Sequence, residues 1–482
     1  MKTSNPDGGE LPPSRSIVLG HSLRIPAFRN LFASSATSTL GAAISIVSVN
    51  WIVYHYTHSA IDITYVGLTG IVPGIVLGLF AGVLADRYNR RSLMVTSDLT
   101  RMAGMGVLSA ALFLTGFSLP LILAVMVLVN CFSAVFTPAS QAILPQLVPK
   151  ESLEDANGLL YSIGGAGWSI GSAAGGVTVA LLGAEWGLGI NSFTYALSAT
   201  FLLQIGSELG RSAHRSLAAR KSFRQDFSEG MGFVLQNRTL VEVMFGYLPS
   251  NFLSSFVSPF FVVYAATRFG GSAIAYGTLA AALAAGAAVG GLIVGRFATR
   301  RIAGLLMGSC LLSEAVAYGL LAYSTNLGLS VAAAIGAGLA IGFANTVYYS
   351  TIQAVVPSDI LARVLSIGDF GSFAAIPAGL VVGGIVIASY GIGIAITVAA
   401  TGIFVTGVVL LCLPDFRAFG GKRPSTSRAP RGLRDAALPD SGRGLRPGFM
   451  APGLALPALD AKLRDLDAGE NLAGVVARGR PR

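Results

Sequence analysis

The sequence predicts an all-α membrane protein with twelve transmembrane helices in two parallel six-helix repeats. Three observations predict it. The chain of 482 residues is 53% hydrophobic and only 12% charged, with a mean hydropathy of +0.68; soluble domains carry about 25% charged residues. The charges leave long empty gaps, and the later part of the chain repeats the pattern of the earlier part.

The gaps give the elements. No Asp, Glu, Lys or Arg lies between Arg29 and Asp62, Asp62 and Asp86, Arg101 and Lys150, Asp155 and Glu185, Glu185 and Glu208, Glu242 and Arg268, Arg268 and Arg296, or Asp369 and Asp415. A spanning helix needs about 20 mostly apolar residues. The shorter gaps hold one helix each. The two longest hold two, divided at Thr115-Gly116-Phe117-Ser118 and Ser389-Tyr390-Gly391. Between Arg301 and Asp359 the one charge is Glu314, and Ser324-Thr325-Asn326 divides that stretch. The helices are expected at 28–55, 63–85, 92–114, 120–144, 157–182, 187–206, 240–265, 273–295, 303–322, 329–355, 364–388 and 392–413.

Charge sign gives the orientation. With both termini cytoplasmic, Arg268 is the one of 33 Lys and Arg on the outer side, which is the positive-inside bias. The net charge of +10 therefore follows topology and does not point to nucleic acid. The polar N-terminus has no cleavable signal pattern, so the first span is expected to direct the chain to the cell membrane. Cys131, Cys310 and Cys412 fall inside predicted helices and show no metal or disulfide spacing.

The repeat appears as local echoes. Trp51-Ile52-Val53-Tyr54 ends the first helix and Phe261-Val262-Val263-Tyr264 the seventh, an offset of about 210 residues. Val148-Pro149-Lys150-Glu151 is echoed by Val356-Pro357-Ser358-Asp359. The expected organisation is a cytoplasmic segment 1–22, a six-helix bundle 23–206, a cytoplasmic linker 207–237, a second bundle 238–414 and a disordered basic tail 415–482.

Glycines recur every four residues in several helices: Gly70, Gly74, Gly78 and Gly82; Gly167, Gly171 and Gly175; Gly286 with Gly290; Gly379 with Gly383. Such spacing lets backbones approach closely. It reads equally as packing within a bundle or as a seam on which two bundles rock.

The segment Gly82-Val83-Leu84-Ala85-Asp86-Arg87-Tyr88-Asn89-Arg90-Arg91 resembles the signature loop of the major facilitator superfamily. Phe28-Arg29-Asn30-Leu31-Phe32, Ser97-Asp98-Leu99-Thr100-Arg101 and Phe136-Thr137-Pro138-Ala139 resemble its prokaryotic branch of efflux proteins and siderophore exporters, over about residues 23–413. The resemblance implies a major facilitator fold. It also implies a gating motif of Gly82, Asp86, Arg87, Arg90 and Arg91, with Asp86 facing a helix N-terminus of the other bundle. Two departures stand out. Ala42 follows Leu40-Gly41 where the branch often has Asp, and Gly171-Ser172 stands where antiporters carry Gly-Pro.

Polar groups at membrane depth are the remaining candidates, because an ionisable group there costs at least about 2.5 kcal/mol and marks pathways. Asp369, Asn345, Asn50 and Glu314 form the expected proton and substrate pathway. Asp369 is also readable as a hydrogen-bonding group near the start of its helix, and Glu314 as a structural one. Asp98 and Arg101, three apart, read as a local ion pair. Phe136, Phe252, Phe256, Tyr348 and Tyr349 are the candidate cavity aromatics. No phosphate-binding loop, metal set or cofactor motif is present, so the chain is not expected to be an enzyme. The expected function is proton-coupled efflux of a small amphipathic molecule by a monomer in the lipid bilayer. An importer or facilitator of the same fold, or a non-transporting receptor or scaffold, are the alternatives.

Overall fold

The structure, a computed structural model, describes residues 21–206, 223–297, 302–357 and 360–419. The tail, most of the linker's N-terminal part and the Arg300/Arg301 pair lie outside the described residues. All regular structure described is helical. The long helices are α1 (Pro26–Thr57), α2 (Ala60–Arg87), α3 (Arg90–Thr115), α4 (Leu119–Leu147), α5 (Leu153–Leu181) and α6 (Ala184–Leu203). After a linker helix α7 (Phe223–Gln236) come the short α8 (Arg238–Gly246), α9 (Leu248–Ser254) and α10 (Phe261–Arg268). The chain continues through α11 (Ala273–Phe297), α12 (Ala303–Tyr323), α13 (Leu327–Val355), α14 (Leu361–Tyr390), α15 (Ile392–Cys412) and the single turn α16 (Pro414–Arg417).

Among the described residues, eight helical stretches are long and apolar enough to cross a bilayer: α1, α2 through Leu77, α4, the run Arg238–Arg268, α11, α12, α13 and α15. This is a multi-pass membrane protein. Three other long helices, α3, α5 and α6, are less apolar for visible reasons, and α14 is apolar over Ala374–Tyr390. α3 carries Arg90, Arg91, Asp98 and Arg101, while α5 and α6 substitute Gly, Ser and Ala for large side chains.

Local chemistry sets the turns. α1 ends at His58 in the left-handed region (φ 49°), and Ser59 at once caps α2 by accepting from the Asp62 N–H at 3.2 Å. Asn89 caps α3 by accepting from Ser92 N at 3.1 Å, and Asn326 caps α13 by accepting from Leu329 N at 3.1 Å. Such caps satisfy the orphan N–H groups of a first turn. At Gly391 φ is 85°, a conformation that favours glycine, and α14 turns there into α15 with no further linker. The three sequence-predicted turns fall between α3 and α4, α12 and α13, and α14 and α15.

The seventh apolar stretch departs from expectation. In place of one helix over 240–265, the chain breaks at Tyr247 and again between Ser255 and Phe260. Pro249 opens α9 and Pro259 sits in the 3-10 turn before α10. Proline lacks the N–H that an interior helical position must donate.

α1 packs on α5 and α6, α3 on α4 and α6, and α2 on α4. α11 packs on α13, α12 on α13 and α15, and α14 on α9. Between the two sets, α5 meets α11 and α2 meets α14. Most of the glycine ladders serve packing within a set. A Cβ at Gly171 would stand 2.7 Å from Ala43 Cβ on α1, and one at Gly290 would stand 3.0 Å from Leu339 Cα on α13 and collide with its carbonyl oxygen. Gly70 and Gly74 face open space. The seam between the sets uses other glycines. A Cβ at Gly277 of α11 would stand 2.6 Å from Gly176 Cα of α5.

Candidate functional site

The hydrogen bonds that join α1–α6 to α8–α15 among the described residues fall in the half of the helices bearing the α1–α2 turn. Asn50 Nδ2 donates to the Tyr276 hydroxyl at 3.0 Å, and Trp51 Nε1 donates to the Gly271 carbonyl at 3.2 Å. Thr64 Oγ1 donates to the Leu380 carbonyl at 3.3 Å, and Ser169 Oγ to the Ala281 carbonyl at 3.0 Å. At that end a crevice of about 60 Å³ lies between α1 and α10 with α11, lined by residues that include Trp51, Tyr54, His55, His58 and Tyr276. Pockets for drug-sized molecules measure about 300–1,000 Å³, so this crevice does not admit such a solute.

Toward the other end, side chains between the two sets become exposed. On α5 the stripe of Gly167, Gly171 and Gly175 touches α1, and Gly165, Ser169 and Gly176 touch α11. Tyr161 and Trp168, seven residues apart, lie between those stripes and are 81% and 44% exposed. Sequence reasoning did not single out either ring as a candidate. Their helical spacing was visible, but the neighbours of each α5 face were not.

Asn345, from the expected pathway, is exposed on α13 between the stripe that meets α11 and the position of Tyr348. Tyr348 is buried, and its ring meets Tyr349 edge-on at 5.1 Å between centroids. Its hydroxyl reaches Gly368 of α14, beside Met244 of α8. Position 369 is the next on that helix; the Asp369 side chain lies outside the described residues. The rings of Phe252 and Phe256 meet at 5.4 Å between centroids, tilted by 60°, around the break of the seventh stretch. Phe256 is buried there.

Phe136 packs inside the first set of helices. The Arg101 guanidinium carbon sits 4.5 Å from its ring centroid and 4.5 Å from that of Tyr195. Arg101 also pairs with Asp98, whose Oδ2 accepts from Ser198 Oγ at 2.6 Å. Ser34 Oγ in turn donates to Ser198 Oγ at 2.7 Å. The local ion pair expected from i,i+3 spacing thus forms, fully buried, and it ties α1, α3, α4 and α6 together. Cation–π contacts of this kind contribute about 2 kcal/mol when desolvated.

In the gating motif, Arg91 donates from Nε to Leu202 O at 3.0 Å and from Nη2 to Leu203 O at 2.7 Å. It caps the C-terminal end of α6, where a cation meets the negative pole of the helix. Asn89 caps α3. The side chains of Gly82, Asp86 and Arg87 lie outside the described residues. Glu314 is 5% exposed on α12, and its Oε1 accepts from Ser254 Oγ at 2.6 Å.

A family model described as transmembrane secretion effector matches residues 21–433. Macrolide efflux protein A of Streptococcus pyogenes is 26% identical over 366 residues, which is 73% of this chain and 87% of that one. The multidrug efflux pump Tap of Mycolicibacterium fortuitum is 24% identical over 411 residues, 82% of this chain and 97% of that one. Among solved structures, the nucleoside transporter NupG superposes with a TM-score of 0.64 at 14% identity, over 80% of this chain and 98% of the other. A bacterial homolog to the human lysosomal transporter Spinster gives 0.61 at 18% identity, over 84% and 98%. The fold is shared with both. Spanning helices closed at one end around polar and aromatic side chains belong to a transporter of small molecules: the chain is a member of the transmembrane secretion effector family of major facilitator transporters.

Proposed function

We propose that this transporter exports small amphipathic molecules, macrolide-type compounds among them, across the cytoplasmic membrane in exchange for protons, by alternating access. The observation that carries the reading is the one-ended seal. Asn50–Tyr276, Trp51–Gly271 and Thr64–Leu380 close one end, while Tyr161, Trp168 and Asn345 are exposed toward the other. In this reading the sealed end is outer and the open end cytoplasmic, so the cavity is poised to load from inside. Twelve spans in two six-helix bundles, 23–206 and 238–414, follow when the broken stretch 238–268 counts as one. The linker 207–237 joins the two bundles, both termini are then cytoplasmic, and the protein works as a monomer.

The cavity chemistry suits such a substrate. Two relatives are named for macrolide efflux and multidrug efflux. The exposed groups are aromatic rings and an amide, and the buried charges Asp98 and Arg101 neutralise each other away from the cavity. Asp86, Arg87 and Gly82 gate the cytoplasmic side, and Asp369 and Glu314 carry the proton.

The test is transport in proteoliposomes loaded with erythromycin under an imposed pH gradient. Concentrative movement that collapses with the gradient supports the reading. Equal movement with and without the gradient removes the proton coupling, and no movement of any amphipathic probe removes export.

A further inference from the structure

The broken seventh stretch is fastened to α12 at both of its breaks. At the first, the Tyr247 hydroxyl donates to the Met307 carbonyl at 2.9 Å. At the second, Ser254, the last residue of α9, donates its hydroxyl to Glu314 Oε1 at 2.6 Å. Tyr318 lies one turn beyond Glu314 on the same helix, and both are buried. Met307, Glu314 and Tyr318 share the buried face of α12 at helical spacing. Among the described residues the ion pairs are Asp98–Arg101, Arg238–Glu242 and Arg238–Asp415; none includes Glu314.

The other side of the second break rests on α14. Phe252 O and Ser255 Oγ occupy the space that a Cβ on Gly379 would need, and Phe256 Cα lies 3.1 Å from where a Cβ on Gly383 would stand. Between those glycines, the Leu380 carbonyl accepts the cross-seam bond from Thr64. A continuous set of contacts therefore runs from a buried carboxyl group, through a helix break, to the seam with α2.

We propose that Glu314 is the positioning residue that converts proton exchange into movement of that seam. The proton moves between the Glu314 carboxyl group and water, and no other covalent bond changes. As the anion, Glu314 accepts a charge-assisted bond from Ser254, which is roughly twice as strong as a neutral one, and holds the break in the present geometry. As the acid, it holds Ser254 less firmly; α9 and α10 realign, and α14 shifts with them against α2. Few other groups compete for the role. Cys310 and Tyr318 face Glu314 from α12, and Tyr247 from the first break. The other long helices on α12, α13 and α15, carry no Asp, Glu, Lys, Arg or His over 327–355 and 392–412. Asp415 and Arg417 of α16 lie at the Gly304 end, about 15 Å along α12.

The inference rests on proton-coupled export and is tested apart from it. Spin labels at Tyr161 and Gln353, on the open side, report the distance between α5 and α13 at acid and at alkaline pH in the purified full chain. The wild-type population ratio is expected to change with pH by about tenfold, within the usual range of allosteric coupling. Glu314→Gln, which keeps the shape and the Ser254 acceptor, is expected to fix the ratio at one value. Glu314→Asp restores part of the pH response, and Ser254→Ala weakens it with the carboxyl group intact. A Glu314→Gln protein with the full wild-type pH response overturns the inference and leaves coupled export standing. A wild type with no pH response overturns both.

Discussion

Asn50 of α1 and Tyr276 of α11 meet through one hydrogen bond of 3.0 Å, made by side chains 226 residues apart in sequence. Both groups are buried, and each would be costly to leave unpaired at membrane depth. The bond exists only while the sealed end is shut.

Tyr276→Phe removes it and leaves the packing unchanged. A buried hydrogen bond is worth about 1 kcal/mol net, so the balance between closed and open forms should move about fivefold toward opening at the sealed end. Accessibility of a cysteine at Ser272, which lines the crevice there, measures it. Unchanged labelling of a folded Tyr276→Phe protein would show that the bond does not hold the gate.

The glycine contact at the same seam should matter more. A Cβ on Gly277 would stand 2.6 Å from Gly176 Cα and 2.7 Å from the Ser172 carbonyl. These are backbone atoms of another helix, which cannot rotate aside. Gly277→Val should cost about 1–3 kcal/mol in the closed form alone and hold the sealed end open. Gly319→Val, facing open space, is the control. If both variants give the same distance between labels at Thr57 and Gly270, the seam tolerates the bulk and the argument fails.

Asp98 and Arg101 predict a stability effect. Removing one partner of a buried pair typically costs about 3–5 kcal/mol, because the other charge is left uncompensated. Asp98→Asn keeps a side chain for Ser198 to bond but removes the charge opposite Arg101. Its thermal unfolding midpoint in detergent should fall well below wild type. The double change to Asp98→Asn with Arg101→Met should recover part of the loss. A double variant less stable than the single one would contradict the account.

Much of this was legible from charge alone. Gaps between charged residues located the ends of α1 to α6 within a few residues; two of those ends fall at the turns capped by Ser59 and Asn89. The broken seventh stretch was not legible. No charge interrupts it between Glu242 and Arg268, so the gap read as a single helix; the geometry shows that Pro249 and Pro259 stand at the starts of separate segments. Glu314 was visible as a charge at membrane depth, but its partner Ser254 lies 60 residues away and carries no motif. Phe136 was expected beside the cavity as an aromatic of α4. Its partners Arg101 and Tyr195 come from α3 and α6, and nothing local in the sequence brings the three together. Tyr161 and Trp168 were passed over because an aromatic in a membrane helix is ordinary until its neighbours are known.

The orientation expected from charge sign is tested by labelling. Single cysteines at Ser118, Ser324 and Tyr390 sit at the turns between α3 and α4, α12 and α13, and α14 and α15. All three should react in whole cells with a membrane-impermeant reagent. A cysteine at Asn89, between α2 and α3, should react only after the membrane is opened. Reversed labelling would place the sealed end inside and turn export into import.

Asp369 carries the last prediction. Gly368 beside it marks where α14, Tyr348 of α13 and Met244 of α8 converge, and Asn345 is exposed one turn from Tyr348. A carboxyl group entering that junction would share a site with the substrate, whereas Glu314 acts from within α12 on the helix break. If the two groups handle one proton in series, Asp369→Asn and Glu314→Gln should each abolish gradient-driven export, and the double variant should lose no more than either alone. Groups acting as a unit are non-additive in this way. Substrate exchange at equal pH needs no net proton movement, so it should survive in both single variants. Losses that multiply in the double variant would mean two independent protons. Full gradient-driven export by a folded Asp369→Asn protein would leave Glu314 as the coupling carboxyl group.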